Sequence, residues 1–245
     1  MATYVLVPGG GHGGWCYQSV AKMLRDRGHF VYSPTLTGIG ERFHLIGPDI
    51  GLDVHIRDIA ALLVFEDLHD VILVGHGYGG MVITGAADRQ LSRVGHLVYL
   101  DGAVPVHGQS LADVAEGPIA ALRRQVETMD GVELCLIPTA DLLPYWGVTD
   151  PAVVEWMMAR LTPHPWKSFV DPLKLANEEA VRAIPSSHLI SPLAARSWDL
   201  DVLTDLARGR VWTRDTGHAM MLTEPRWVAD RLAATAEWMP AHSAG

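Results

Sequence analysis

Residues 71–80 read Val-Ile-Leu-Val-Gly-His-Gly-Tyr-Gly-Gly, and they carry the strongest fold signal in this chain of 245 residues. Four large apolar residues in succession predict a buried strand, and the glycines after them predict a tight turn. The pattern from Met81 onwards predicts a helix. A buried strand that turns sharply into a helix is the repeating unit of folds with a parallel sheet.

The same alternation of strands and helices runs through the first hundred residues and returns near the end of the chain. The predicted strands are Tyr4–Val7, Phe30–Tyr32, Val71–Val74, Leu97–Leu100, His188–Ile190 and Val211–Thr213, and the predicted helices include Ser19–Arg27, Val54–Phe65 and Glu224–Met239. This order predicts an α/β fold whose mostly parallel sheet is covered by helices on both faces.

Residues 104–183 have a different pattern, with helical stretches rich in Met, Trp and Pro such as Val153–Leu161. We predict that they form an inserted, mainly helical cap. Residues 1–103 and 184–245 then form the α/β core. In such sheets ligands bind beyond the carboxyl ends of the strands, so the pocket is expected beneath the cap.

Composition excludes several classes of function. The net charge of −9 and the absence of a Lys/Arg cluster argue against nucleic acid and anionic membranes as partners. Cys16 and Cys135 form no disulfide framework, and we see neither a signal peptide nor a transmembrane stretch. We expect a cytoplasmic protein whose partner is a small organic molecule, and a homodimer is left open as its assembly.

The segment Gly75-His76-Gly77-Tyr78-Gly79 fits the pattern G-x-S-x-G except at its central position. In that pattern the serine is a nucleophile on a strained turn between a strand and a helix. Gly77 has no side chain that could be acylated. We therefore predict that no acyl-serine forms at this position.

Several segments resemble the compact α/β-hydrolases that include plant methyl esterases, hydroxynitrile lyases and bacterial esterase-like relatives. Leu6–Cys16 looks like the H-G-x-x-H-G-x-W-C turn of that family, and Asp215–Leu222 looks like its catalytic-histidine turn. Ser33–Leu45 and Gly51–Asp58 look like segments of its bacterial branch. The resemblance covers nearly the whole chain and implies an α/β-hydrolase fold with a helical cap.

Three positions depart from the family pattern. Gly77 replaces the nucleophile, and Pro8 stands where the first turn usually begins with histidine. The family's acid follows a strand that starts after an Ile-Pro pair, and an ungapped comparison places it at or next to Ala194. Of the nucleophile, base and acid that a triad needs, the resemblance therefore retains the base, His218.

Another carboxylate could replace the missing acid. We predict that Asp101 is catalytic together with His218, because it ends a neighbouring strand. A structural role is the alternative. Asp199 and Asp201 follow the expected acid position, and a shifted loop could bring one of them back. We nevertheless predict that no carboxylate from the segment after Ile190 reaches His218.

The resemblance also implies an oxyanion hole made by the backbone N–H groups of Gly10 and Tyr78. Neither group depends on the lost serine, whose removal leaves room at Gly77 for a water or a substrate carbon. A histidine beside such a hole suits proton transfer that passes through an enolate or alkoxide. The candidate substrate-binding residues are Gly77, His12, His76, Tyr145, Trp146 and Trp166, for which buried packing is the alternative interpretation.

We expect no cofactor and no metal. Gly9–Gly14 satisfies G-x-G-x-x-G, but the next strand ends Val31-Tyr-Ser-Pro34 without the acidic residue that a dinucleotide site needs. His12, His76 and His218 could converge on a metal. The resemblance, however, is to a metal-free fold.

Three hypotheses about function follow. The first is a natural, non-hydrolytic enzyme that uses His218 for elimination or cyclisation chemistry on a medium-sized apolar biosynthetic intermediate. The second is a serine esterase inactivated at its nucleophile. The third is a small-molecule receptor or binding protein on a hydrolase scaffold. A general base contributes about 10²–10⁴ in rate, enough for an intermediate already inclined to react but not for a stable ester.

Overall fold

The computed structural model describes residues 1–139, 143–195, 200–208 and 210–238. The strands are β1 (Thr3–Val7), β2 (Phe30–Tyr32), β3 (Val71–His76), β4 (Val94–Leu100), β5 (Glu127–Met129), β6 (Val132–Cys135), β7 (His164–Pro165), β8 (Ser186–Ile190) and β9 (Val211–Thr213). The α-helices are α1 (Gln18–Arg25), α2 (Leu52–Phe65), α3 (Gly79–Arg89), α4 (Leu111–Val114), α5 (Glu116–Arg123), α6 (Leu143–Trp146), α7 (Pro151–Met158), α8 (Lys167–Val170), α9 (Glu178–Ala183), α10 (Pro192–Ala195), α11 (Leu200–Leu206), α12 (Met220–Thr223) and α13 (Pro225–Ala236). Short 3₁₀ helices span Gly14–Tyr17, Gly40–Leu45 and Leu91–Arg93.

Six strands form one parallel sheet in the order β2-β1-β3-β4-β8-β9, which confirms the predicted α/β architecture. Val7 is in register with Gly75, and His76 is in register with Leu100. The carboxyl ends of β1, β3 and β4 therefore lie side by side at one edge of the sheet. This edge is where a ligand site is expected in a parallel sheet.

Alternate residues of the central strands enter two separate apolar layers, because successive side chains of a strand point to opposite faces. Val5 and Leu73 pack in a layer with residues of α2 and α3. Leu6 and Val74 pack in the other layer with residues of α1 and α13. Both faces of the sheet are thus buried, which explains why β3 is a continuous apolar run rather than an alternating one.

The inserted segment contains a three-stranded antiparallel sheet, β5-β6-β7, among the short helices α4–α9. Its strands are two to four residues long, and β7 contains a proline. Such short strands do not show a readable alternation of apolar and polar residues, so the sequence pattern indicates helices alone. The predicted domain boundaries at residues 103 and 184 remain predictions.

None of the helices in the described part of the chain combines the length and the apolar character that a membrane span requires.

Candidate active site

The turn after β3 connects the strand directly to α3, and its central residue is Gly77. Gly77 has φ +51°, in the left-handed region that glycine adopts at low cost. Its N–H donates to the carbonyl of Leu100 at 3.3 Å, and its carbonyl accepts from the N–H of Ala103 at 2.9 Å. A Cβ on Gly80 would lie 2.1 Å from the carbonyl oxygen of Ala103, so α3 can lie this close to the segment after β4 only because residue 80 is glycine.

The imidazole of His218 faces this turn. A Cβ built on Gly77 would lie 3.0 Å from Nε2 of His218. Nδ1 of His218 lies 3.2 Å from Oδ2 of Asp101, whose side chain is completely buried. Because the carboxylate accepts this hydrogen bond, Nδ1 carries the proton in the neutral ring, and Nε2 presents a lone pair towards Gly77.

Asp101 is itself held by the next strand. Its Oδ1 accepts a hydrogen bond from the backbone N–H of Ser191 at 2.7 Å, directly after β8. Its φ of +44° is a conformation that aspartate tolerates better than most residues. The segment that resembles the acid-bearing region of the family therefore contributes a backbone N–H to the carboxylate of Asp101.

The other acid candidates are not tested. Ala194, where the family's acid was expected, lies half-buried in α10. Asp201 is exposed in α11, and Asp199 lies outside the described residues. The prediction that no carboxylate from this segment reaches His218 therefore stays a prediction.

The two predicted oxyanion donors lie at the ends of neighbouring strands, Gly10 after β1 and Tyr78 after β3. Within the described ranges no hydrogen-bond partner is found for either backbone N–H. The phenol of Tyr78 points elsewhere and donates to Nδ1 of His55 at 2.8 Å, and burial raises the pKa of this phenol well above its ordinary value. Only the backbone of Tyr78 is therefore available as a donor.

His12 and His76 are buried against the site as neutral imidazoles. His12 donates from Nδ1 to the carbonyl of Gly10 at 2.8 Å, and His76 donates from Nε2 to the carbonyl of His218 at 3.0 Å. Burial lowers the pKa of His12 to about 4. Burial and the neighbouring His218 hold the pKa of His76 well below its usual value. Both rings thus bond backbone carbonyls of turns around the site, those of Gly10 and His218. Their contact with substrate stays a prediction.

Trp146 and Trp166, two of the aromatic residues predicted to bind substrate, lie in different surroundings. The ring of Trp146 lies 4.9 Å from that of His12, and its carbonyl accepts from the N–H of Ala219 at 3.0 Å, so it joins the cap to the histidine turn. Trp166 is buried against Phe169 and lies under the guanidinium of Arg123. The side chain of Tyr145 lies outside the described part of the structure. Roles in substrate binding remain predictions for all three.

His164 is a buried cap residue that the sequence does not predict to be part of the site. Its Nδ1 lies 3.2 Å from the backbone nitrogen of Gly11. It stands in a Pro-His-Pro stretch that matches no catalytic motif, so no sequence signal identifies it. In the described residues no group of three or more His, Cys, Asp or Glu side chains is arranged to hold a metal ion.

Curated relatives match part of the chain. Carbendazim hydrolyzing esterase of Nocardioides sp. (strain SG-4G) is 57% identical over 111 residues, which are 45% of this chain and 46% of that protein. Putative methylesterase 11, chloroplastic, of Arabidopsis thaliana is 31% identical over 112 residues, which are 45% of this chain and 29% of that protein. The chain thus spans less than half the length of these relatives.

Solved structures match over the whole fold. An extracellular alpha/beta-hydrolase from a Paenibacillus species has a TM-score of 0.77 at 21% identity, covering 96% of this chain and 98% of that chain. Tomato methylketone synthase I has a TM-score of 0.80 at 17% identity, covering 98% and 99%. A sequence model of the alpha/beta hydrolase family matches residues 4–231, and the chain belongs to this family.

Proposed function

We propose that this protein is a cofactor-independent, non-hydrolytic enzyme in which His218 moves a proton while backbone N–H groups stabilise an oxyanion. The reaction class is elimination or cyclisation of a medium-sized apolar carbonyl compound. His218 is the base, Asp101 orients it, and Gly10 and Tyr78 supply the oxyanion donors.

One observation carries the proposal. The lone pair on Nε2 of His218 faces a position, 3.0 Å away, where residue 77 has no side chain. Asp101 holds the opposite nitrogen of the ring at 3.2 Å. In this proposal His218 is the base and Asp101 its orienting acid, and residue 77 supplies no nucleophile. A substrate C–H beside Gly77 would meet the base directly.

The magnitudes fit this chemistry. A positioned general base contributes about 10²–10⁴ in rate, and one preorganised oxyanion donor contributes about 10²–10³. Together these factors are adequate for a carbonyl compound with an acidic C–H bond. They are inadequate for a stable ester, where loss of a triad serine costs on the order of 10⁶ in turnover.

The surroundings support an apolar substrate. A Cβ on Gly10 would meet Leu136 at 2.6 Å and Phe169 at 3.0 Å, so an aliphatic and an aromatic side chain of the cap pack against this residue. Methylketone synthase I, which has the same fold, was solved with 2-tridecanone, and a variant of it with β-ketoheptanoate. Both molecules are chain-like carbonyl compounds. We extend that class, rather than either molecule, to this protein.

An esterase that has lost its nucleophile is the second candidate. Named esterases are among the relatives, and a serine at position 77 would have its Cβ beside Nε2 of His218. This candidate, like the proposed reaction, allows ester hydrolysis once a hydroxyl returns to position 77. It differs in that the unmodified protein has no reaction of its own, so ketone exchange distinguishes the two.

Hydrogen–deuterium exchange of 2-tridecanone in D₂O tests the proposal without the natural substrate. NMR follows exchange of the protons next to the carbonyl. We expect the protein to accelerate exchange, and His218→Ala to lower the acceleration roughly 10²-fold or more, because the base is removed. The exposed histidine variant His69→Ala is the matched control and should exchange like the unmodified protein.

Equal acceleration by His218→Ala would disprove a role for this base. Binding of the ketone with no acceleration in the unmodified protein would favour a receptor instead.

A further inference from the structure

The cap holds the first turn of the core through both backbone polar groups of one residue. The N–H of Gly11 donates to Nδ1 of His164 at 3.2 Å. The carbonyl of Gly11 accepts from the backbone N–H of Thr162 at 3.2 Å. Both partners belong to the cap, at and just before β7. Because Gly11 directly follows Gly10, the cap sets the peptide next to the first oxyanion donor.

His164 can accept this hydrogen bond in one tautomer. Since Nδ1 accepts from Gly11, the proton of the neutral ring is on Nε2, which lies 2.8 Å from Oγ of Ser168. The hydroxyl of Ser168 donates onwards to the carbonyl of Pro165 at 2.8 Å. Burial holds the pKa of His164 well below its ordinary value, and the neighbouring His55 and His12 act in the same direction. The ring is therefore neutral, and its acceptor is fixed towards Gly11.

The same ring packs against the residue that carries the second donor. The ring centroids of His164 and Tyr78 are 5.0 Å apart, and Phe169 stacks on His164 at 4.6 Å. Tyr78 is anchored in turn by His55, which accepts from the phenol and donates from Nε2 to the carbonyl of Thr37 at 2.9 Å. One buried imidazole thus hydrogen-bonds the residue that follows the first predicted donor and packs against the side chain of the residue that carries the second.

We propose that His164 is a positioning residue that assembles the oxyanion hole by fixing the Gly10–Gly11 turn relative to Tyr78. Docking of the cap and formation of the hole are then the same event. This inference rests on the proposed function, since it concerns the oxyanion donors of that reaction. It assigns a role to a cap side chain that does not touch the reacting atoms.

Two amide substitutions separate the two nitrogens of the ring. In His164→Asn the shorter side chain can place an acceptor near the Nδ1 position and keep the bond to Gly11. In His164→Gln the longer side chain imitates Nε2 and keeps the bond to Ser168, but it loses the acceptor for Gly11. The matched control is His96→Gln, because His96 is equally buried and its Nε2 lies 2.7 Å from Oγ of Ser187, at the far end of β4.

The probe is p-nitrophenol, whose anion absorbs differently from its neutral form. A working oxyanion hole binds the phenolate more tightly than the phenol, and spectral titration measures this preference. We expect the unmodified protein, His96→Gln and His164→Asn to prefer the anion to similar extents. We expect His164→Gln to lose about tenfold of that preference, the effect of one misplaced hydrogen bond.

The outcomes separate the two proposals. No preference for the anion in the unmodified protein would overturn the oxyanion hole, and the proposed function with it. A preference that His164→Gln retains in full would overturn the role of His164 alone.

If the variants do not fold, a measurement on the unmodified protein still tests the inference. Nitrogen NMR should show a scalar coupling between the amide nitrogen of Gly11 and Nδ1 of His164, with the ring proton on Nε2. A proton on Nδ1 would contradict the inference.

Discussion

The turn at Gly77 and the turn at His218 face each other across the site but are held by different sets of contacts. The Gly77 turn is bound to the sheet through the backbone of Leu100 and Ala103. The His218 turn is bound both to the sheet, where His76 donates to the carbonyl of His218, and to the cap, where the carbonyl of Trp146 accepts from the N–H of Ala219. The Gly77 turn is formed by backbone contacts to the sheet, whereas the His218 turn also needs the cap for its position. The backbone shape of the Gly77 turn is therefore set independently of the side chain that His218 brings to the site.

The largest expected effect comes from placing a hydroxyl on the Gly77 turn. The unmodified protein should show negligible turnover of p-nitrophenyl acetate. Gly77→Ser should raise it at least roughly 10³-fold, since a serine in a working triad is worth on the order of 10⁶. Release of p-nitrophenol measures the rate, and intact mass spectrometry detects the acyl-enzyme.

Gly77→Ala is the control for this experiment, because it adds a Cβ at the same φ of +51° without a hydroxyl. An acyl adduct on the unmodified protein, or none on Gly77→Ser, would show that the two turns do not cooperate as described.

The second prediction concerns the acid that orients His218. In Asp101→Asn the amide oxygen should stay towards the N–H of Ser191, which needs an acceptor. The NH₂ group then faces Nδ1 of His218 and forces the ring proton onto Nε2, away from its useful position. We expect ketone exchange to fall about 10²-fold, within the range of a lost general base.

Asp215→Asn is the control. It removes a charge from an exposed residue of the turn that carries His218, and it should leave ketone exchange unchanged. If Asp101→Asn exchanged as fast as that control, Asp101 would have a structural role only.

The third prediction addresses the dependence of the His218 turn on the cap. A Cβ on Gly217 would lie 2.4 Å from both the Cα of Gly147 and the carbonyl oxygen of Trp146. Gly217→Ala should therefore lower the free energy of unfolding by about 1–3 kcal/mol through overpacking, and should slow ketone exchange as His218 is displaced.

Gly47→Ala is the matched substitution, because no atom of the described residues lies within 4 Å of the added carbon. Urea unfolding compares the two variants. Equal stabilities would mean that the contact between the cap and the histidine turn is loose.

The last prediction concerns His12, the buried histidine in the turn after β1. Folded His12 has a pKa of about 4, against 6.5 for the ordinary side chain. As pH falls from 6.5 to about 4, the unfolded chain takes up a proton that the folded protein excludes. Stability therefore decreases by about 1.4 kcal/mol per pH unit at most for this residue. Urea unfolding across this range should show a shallower slope in His12→Gln, and an unchanged slope would mean that His12 titrates normally when folded.

Much of the core could be predicted from the sequence. The apolar run before Gly75 and the order of strands and helices imply a parallel sheet, because strands buried on both faces need continuous apolar residues. The predicted bounds of β2 and β9 agree with the structure, and those of the longer helices differ by a few residues at their ends. The absence of a side chain at Gly77 is equally a property of the sequence, since no fold can give glycine one.

Tertiary structure alone decided the rest, because the residues concerned are distant in the chain. Asp101 and His218 meet at 3.2 Å across 117 positions, and no local pattern encodes that distance. His164 lies 153 positions from Gly11 and contacts it only because the cap folds back over the first turn. Periodicity specifies which face of an element is buried, whereas the side chains that converge on a site depend on how the elements pack.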